Sequence, residues 1–459
     1  MLRIAMNIFD PLIYKKNVTD TDGISGLCES WTIIDDRTIE FKLNKGITFH
    51  NGVELTSKDV EFTFERAMLS DDSAYFHPTL TSILPYFEDV EVIDDYTFRI
   101  NSNNPDPALI ERLSSVMGFY IVPKDYIEEI GREAFGLAPV GTGPYKVIEF
   151  TPDKLILEYY EGFYGERPAA DRIEFYCYPE VSTRMTALFN NEVDIATSLN
   201  PENVATIEDR GYQADSVVID WCYMLNYNCS QEPMDDPLLR EAMNISIDRQ
   251  ALADYIWCGT ASVSNSYNFP GYGDYYIEDY PDYEYNPERA KELLAQSTYA
   301  GELINYEVRS GYYTLGDEVA EAICAMWQAI GINAQVKFND VWDDSAYQVH
   351  NNSNSPRFMD PAGGLWLLWG DGTACQKYFW QNKETWDEYA AQAAILLQSS
   401  DFNERYEANK RMMDLWEQEL VGTVLFNISE ITGVRPGLSF ERTSSPHIDF
   451  RADSLSVVE

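Results

Sequence analysis

A chain of 459 residues exceeds one ordinary core, and its 45% hydrophobic content suits several packed units and excludes a disordered polymer. With 76 acidic against 33 basic residues the net charge is −43, a field that repels nucleic-acid backbones and anionic headgroups and argues against partners of either kind. Most of these carboxylates are expected to form a solvated face, the alternative being attraction of a cationic ligand. The seven cysteines lie scattered without a C-x-x-C, and Cys222 and Cys229 are the one close pair, so the fold does not depend on a disulfide framework. No apolar run approaches the ~18 residues that span a bilayer. Met1-Leu2-Arg3-Ile4 leads directly into a folded-looking segment, so no signal peptide is visible.

In chain order, Ile39, Phe41 and Leu43 alternate with polar neighbours and predict a strand, followed by a turn at His50-Asn51-Gly52. Thr56 with Asp59 three residues on is a capping-box pattern for a helix that carries Val60, Phe64, Ala67 and Met68 on one face. A hairpin is expected from Val90-Glu91-Val92 through Asp94-Asp95 into Tyr96, Phe98 and Ile100. The nonapeptide PVGTGPYKV (139–147) then places Gly141 and Gly143 around Thr142, which predicts two positive-φ positions in a tight crossover into a strand. Ser182 or Thr183 is expected to cap a helix through Met185, Leu188 and Phe189, with a short strand at Val193-Asp194-Ile195. Asp236-Pro237 and Asn286-Pro287 are N-cap and N1 pairs. A βαβ unit is expected from Ile304 to Phe338, its helix ended by Gly331, and a last long helix over about 402–420. The tyrosine-rich stretch from Tyr267 to Tyr285 is read as an ordered loop that packs its rings on its own domain.

Several of these segments together resemble the family 5 extracytoplasmic solute-binding proteins of ABC importers. The segments are GLCESW (26–31), IEFKLNKGITFHNGVELTSKDVEFTFERA (39–67), PVGTGPYKV, LEYYEGFYGERPAADRIEF (157–175), RMTALFNNEVDIA (184–196), DDPLLREAMNISIDRQAL (235–252) and YNPERAKELLA (285–295). The resemblance implies a mixed α/β, periplasmic-binding-protein-like fold of type II, with two lobes on a hinge and an extra α+β subdomain. It divides the chain into lobe I (1–26, 144–222 and 430–459), the hairpin-rich subdomain (27–143) and lobe II (223–429). The family's first strand and following loop have no counterpart ahead of NIFDPL (7–12), and LWLLWGDGTACQKYFW (365–380) keeps Trp369 and Asp371 but lacks the Asp-Pro that follows in relatives.

Recognition, not bond making, is the chemistry the resemblance implies. Asp371, flanked by Gly370 and Gly372, is the candidate for a ligand ammonium, since a buried carboxylate is costly unless a cation pairs it; an ordinary glycine turn is the alternative. Trp366 or Trp369 is expected to wall the pocket while the other packs in the core. Tyr223, Asn226 and Asn228 in WCYMLNYN (221–228) supply hydroxyl and amide groups for a peptide backbone, and Trp342 is a further aromatic candidate. A carboxylate-binding arginine stays open between Arg309 and Arg357. The expected ligand is a di- or oligopeptide, the alternatives an oligosaccharide or metal chelate, and the expected partner an ABC permease. The chain is expected to act as an extracytoplasmic monomer, in the periplasm or on a lipid anchor, without a cofactor or metal. A hydrolase is the rival class, but G-x-S-x-G, H-E-x-x-H and P-loop patterns are absent, and the four histidines (50, 77, 350, 447) lack ligand spacing.

Overall fold

Alternation places Ile39, Phe41 and Leu43 inward from the strand Thr38–Leu43, the second in a four-stranded antiparallel sheet with Cys28–Ile33, Thr97–Ser102 and Phe87–Asp94. The computed structural model describes residues 2–15, 24–69, 78–114, 119–340, 346–444, 447–451 and 454–458. Helix Ser57–Met68 covers that sheet with Val60, Phe64, Ala67 and Met68. Its start is fixed as the sequence implies: the Asp59 carboxylate accepts from Thr56 N at 2.9 Å and from Thr56 Oγ1 at 3.1 Å. A separate three-stranded sheet, Tyr145–Phe150, Lys154–Tyr159 and Arg172–Tyr176, packs Tyr145, Leu155, Leu157 and Ile173 against Ile8, Phe9, Phe440 and Phe450 from the two ends of the chain.

The central element is a seven-stranded mixed sheet. Gln213–Tyr227 and Gly422–Val434 run antiparallel through it, with the short strand Ser262–Val263 paired to Asn427 and Phe426 near the middle of the second. At one end, Ile195–Leu199 pairs with Gly422–Val434 around Val434 and Ile431. At the other, Val349–Asn354 pairs with Cys222 to Tyr227 and leads to the parallel strands Ile304–Val308 and Ala334–Phe338. These parallel strands and helix Gly316–Ala329 form the expected βαβ unit, closed by Gly331 at φ 102°. Asp236 and Asn286 both cap as predicted, accepting from Leu238 N at 2.9 Å and Arg289 N at 3.0 Å. All seven cysteines are free.

Three local expectations change. Helix Val181–Phe189 begins after Glu180, ahead of Ser182 and Thr183, and Thr183 N and Arg184 N already bond to Glu180 O. The following strand is Ile195–Leu199, because Glu192 N and Val193 N turn back onto Ala187 O and hold that stretch as a helix exit. Neither Gly141 nor Gly143 has positive φ. They are needed for space: a Cβ on Gly141 would lie 2.1 Å from Ile8 O, and one on Gly143 2.7 Å from Ile8 C. The crossover is stitched to that N-terminal segment and to the His50 turn. Gly143 N donates to Ile8 O (2.9 Å), Thr142 Oγ1 to Asp10 Oδ2 (2.8 Å), and His50 bridges Gly141 N and Gly143 O through its two ring nitrogens. Burial lowers His50 to about 4, so the ring is neutral and can accept at one nitrogen while donating at the other.

Gly141→Ala is therefore expected to cost roughly 2–3 kcal/mol or more through backbone displacement, read as a lower denaturation midpoint. An unchanged midpoint would show that the approach to Ile8 is not the reason for glycine there.

Candidate functional site

The two long strands lose register at two neighbouring places, between Val218 and Cys222 and between Tyr223 and Met224. Val218 pairs with Ser429 and Cys222 with Asn427, so Ile219, Asp220 and Trp221 lie opposite the single residue Ile428. A bulge of this kind breaks the ladder, bends the strand and re-aims side chains. It lies between the end of the pair that carries Ile195–Leu199 and the end that carries the parallel strands.

Asp220 is exceptional there. Its Oδ2 is buried without a hydrogen-bond partner, and the carboxyl is raised from 3.8 to about 6 by desolvation. Trp221 Nε1 and Tyr272 Oη are also buried without partners. Gly271 lets the surrounding loops close in: a Cβ there would lie 2.7 Å from Met359 Sδ and 3.2 Å from Asp220 Oδ2. Burial raises Tyr272 well above its ordinary value, with the charges of Asp360, Cys222 and Asp220 adding to the effect.

Two loops over the bulge are each held by a buried carboxyl group. In the 355–364 loop, Asp360 accepts from Ala362 N at 2.8 Å and takes both bonds of a bidentate pair with Arg405 Nη2, at 2.6 and 2.7 Å. Arg405 also donates to Leu396 O (2.9 Å) and Tyr275 Oη (2.8 Å). This clamp presents Met359 toward Asp220 and Phe358 toward Arg112, whose guanidinium lies 4.7 Å from the Phe358 ring centroid. Arg112 is itself buried, bonded to Asp106 Oδ1 (2.9 Å) and Ile83 O (2.7 Å), so the hairpin-rich part meets the loop through a rigid cation. The tyrosine-rich loop packs as expected, with Tyr267, Tyr272 and Tyr280 in the core. Its end is tied down by Glu417, which accepts from Ser266 Oγ at 2.5 Å and Tyr283 Oη at 2.6 Å. Burial raises Glu417 to about 7 against those two donations.

The residues singled out from sequence do not converge. Asp371 is exposed in the turn after helix Leu365–Trp369, so the burial expected of it is not found. Trp369 is fully buried against Trp416 (5.5 Å between centroids), while half-buried Trp366 stacks on Trp386 at 6.0 Å. Gly370 is pressed on Trp366, its Cβ position 2.3 Å from Trp366 O. Tyr223 and Asn226 are buried in strand pairing: Tyr223 Oη accepts from Asn351 Nδ2 (3.3 Å), and Asn226 Nδ2 meets Nε2 of its cross-strand partner His350 at 3.2 Å. Burial lowers His350 to about 4 and keeps it neutral. Buried Asn228 accepts from Ser230 N and Oγ and shapes the loop at the strand's end. Trp342 lies outside the described residues. Asp220 was missed, although an aspartate inside the apolar run VVIDWCYML (217–225) was the available signal. The buried Asp-Pro of this region is Asp360-Pro361, ahead of LWLLWGDG and not after it. Among the described residues, no group of three or more His, Cys, Asp or Glu is placed to hold a metal ion, and no helix is long and apolar enough to cross a membrane.

Two lobes joined by paired strands, with ordered loops over the joint, define the class of hinged two-lobed binding folds. The chain belongs to the bacterial extracellular solute-binding proteins, family 5, whose sequence model matches residues 24–375. It is 27% identical over 343 residues to the dipeptide-binding protein of Escherichia coli K12, covering 69% of this chain and 63% of that protein. It is 28% identical over 366 residues to heme-binding protein A of Haemophilus influenzae, covering 72% and 64% respectively. The chain thus spans a little under two thirds of the length of these curated relatives. In fold it is similar to NikA from Brucella suis in complex with Fe(III)-EDTA, with a TM-score of 0.88 at 19% identity over 100% of this chain and 95% of that one. DppA from Helicobacter pylori in complex with the peptide STSA gives 0.81 at 23% identity, over 98% and 92%.

Two substitutions test how the loops are held. Asp360→Asn strands a buried guanidinium and is expected to cost roughly 3–5 kcal/mol, part of which returns in Asp360→Asn/Arg405→Met; equal unfolding midpoints for the single variant and the parent would contradict the clamp. For Glu417 the folded value lies above the unfolded one, so its stabilising contribution is complete below about pH 4.5 and is lost as pH rises through about 7. Glu417→Gln is accordingly expected to flatten the fall in melting temperature between about pH 5 and about pH 8. An unaltered slope would count against it.

Proposed function

We propose that the protein is the solute-capturing component of an ABC importer, which closes two lobes around a di- or oligopeptide and delivers it to the permease. In this reading lobe I comprises 1–26, 144–222 and 430–459 and carries the subdomain 27–143, while lobe II comprises 223–429. The boundaries at 222 and 430 fall beside the bulge at Ile219–Trp221. The observation that carries the reading is the irregular stretch of the strand pair from Val218 to Met224, with loops 264–285 and 355–364 gathered over it. Such a joint can absorb a rotation while each lobe keeps its own hydrogen bonds. The protein acts outside the cytoplasm, as family members do, and its chemistry is binding without turnover.

A peptide ligand is favoured over a sugar or metal chelate because the E. coli relative named above binds dipeptides and the H. pylori protein was solved with a peptide. Thermal unfolding with three separate additions tests this: a tryptic casein digest, maltooligosaccharides, and nickel with histidine. The digest is expected to stabilise the protein by about 2.7 kcal/mol at a hundredfold excess over Kd, with every peptide recovered intact by mass spectrometry. Stabilisation by the sugars or the chelate alone would overturn the peptide assignment, and cleaved peptides would overturn the binding-only one.

A further inference from the structure

Two pairs of neighbouring surface helices in this protein are bridged by an ion pair. Arg411 Nε donates to Glu388 Oε1 at 2.6 Å between helices Phe402–Glu419 and Lys383–Gln398. Arg289 pairs with Glu241 between helices Pro287–Gln296 and Pro237–Ile245. Helices Ser57–Met68 and Lys124–Ile130 are arranged differently, with a groove of about 630 Å³ left between them. Its floor is apolar: buried Ile127 and half-buried Phe62 pack on the core that gathers the two ends of the chain. Its sides carry Glu61, Glu65, Lys124 and Glu128, and among the described residues none of the four takes part in an ion pair.

The acidic side is under strain from its own charge. Glu61 and Glu65 stand at i and i+4 on one helix face, a spacing that is unfavourable for like charges. Burial raises the Glu65 carboxyl above its ordinary value, and the charges of Glu61 and Asp89 raise it further against the pull of Lys124.

We propose that the groove between Ser57–Met68 and Lys124–Ile130 is a docking surface for a lysine- or arginine-bearing segment of a partner protein. Charge complementarity selects the occupant. The carboxylates are spread around the groove and do not converge, and no group of three or more His, Cys, Asp or Glu among the described residues could hold a metal ion. A matching cation must therefore carry its charge on an apolar stem, as lysine and arginine do: methylenes lie on Phe62 and Ile127 while the charged end reaches the rim. Arg66 already does this from within the chain, its guanidinium 5.2 Å from the Phe62 ring centroid. Leu69, 52% exposed at the end of the same helix, extends the apolar strip beyond the groove. Lys124 sets a positive charge among the carboxylates, which repels a free polyamine but matches an acidic residue in a protein segment of mixed charge. The groove uses no residue of 223–429, so docking there is independent of how the lobes capture a solute.

The net charge of −43 attracts any basic peptide, so the test separates the groove from the field of the whole protein. The probe is an amphipathic helical peptide of leucine and lysine, its binding to the full chain measured by fluorescence anisotropy at about 0.15 M salt. Glu61→Gln/Glu65→Gln/Glu128→Gln is compared with Glu202→Gln/Glu208→Gln/Asp209→Asn, which removes three exposed charges around helix Asn203–Asp209. The groove variant is expected to bind the peptide at least about tenfold more weakly than the parent, and the control variant within about twofold of it. Equal losses in the two variants, or no binding by the parent, would overturn the proposal. So would equally tight binding of the matching leucine and glutamate peptide. Spermidine at the same ionic strength is expected not to displace the peptide; displacement that depends on the groove carboxylates would assign the groove to a free polycation and overturn docking. Hydrogen exchange of the unsubstituted protein gives a readout that needs no variant. The peptide is expected to slow exchange in 57–69 and 124–130, and protection confined to other segments would overturn the proposal.

Discussion

Everything in this structure depends on one pair of strands. Gln213–Tyr227 and Gly422–Val434 are long enough to belong to both halves of the molecule, and their hydrogen bonds hold each half rigidly at its own end. Between the ends, three residues face one, and a second slip follows between Tyr223 and Met224, so the pair gives up its regular ladder over this stretch. A paired β-ribbon resists shear far more than bending at a bulge.

The surroundings of the bulge follow from the same constraint. The loops over the bulge lie outside the sheet's ladder and are held by buried side-chain hydrogen bonds instead. Asp360 with Arg405 fixes the loop bearing Phe358 and Met359, and Glu417 with Ser266 and Tyr283 fixes the tyrosine-rich loop. Both sets of groups are hydrogen-bonded on several sides, as burial demands. Arg112 meets Phe358 from the hairpin-rich part, so contact across the joint uses a cation on an aromatic face, which can separate and re-form without stranding a carboxylate.

Much of the fold was legible because local physics and final structure agree. Alternation at Ile39, Phe41 and Leu43, the Thr56–Asp59 box, the Asp236-Pro237 and Asn286-Pro287 caps and the βαβ unit all appear where periodicity and capping put them. Misreadings arose where distant backbone decided. Gly141 and Gly143 looked like positive-φ positions, yet what requires them is the carbonyl of Ile8, more than a hundred residues away in sequence. The candidate site was less legible. LWLLWGDG reads as a pocket segment, but Trp369 is claimed by the core through Trp416, and Asp371 is left in solvent. Asn226 and Tyr223 face the right chemistry but are consumed by cross-strand partners. Asp220 was hidden because a register shift cannot be seen in one strand's sequence alone.

Closure about the bulge is most directly tested by small-angle X-ray scattering of the protein with and without the casein digest under conditions where binding is measured in parallel. The account predicts a smaller radius of gyration on binding, and the same change with each peptide fraction that binds. An unchanged radius of gyration in the saturated complex would contradict a hinge at Ile219–Trp221 as the moving part.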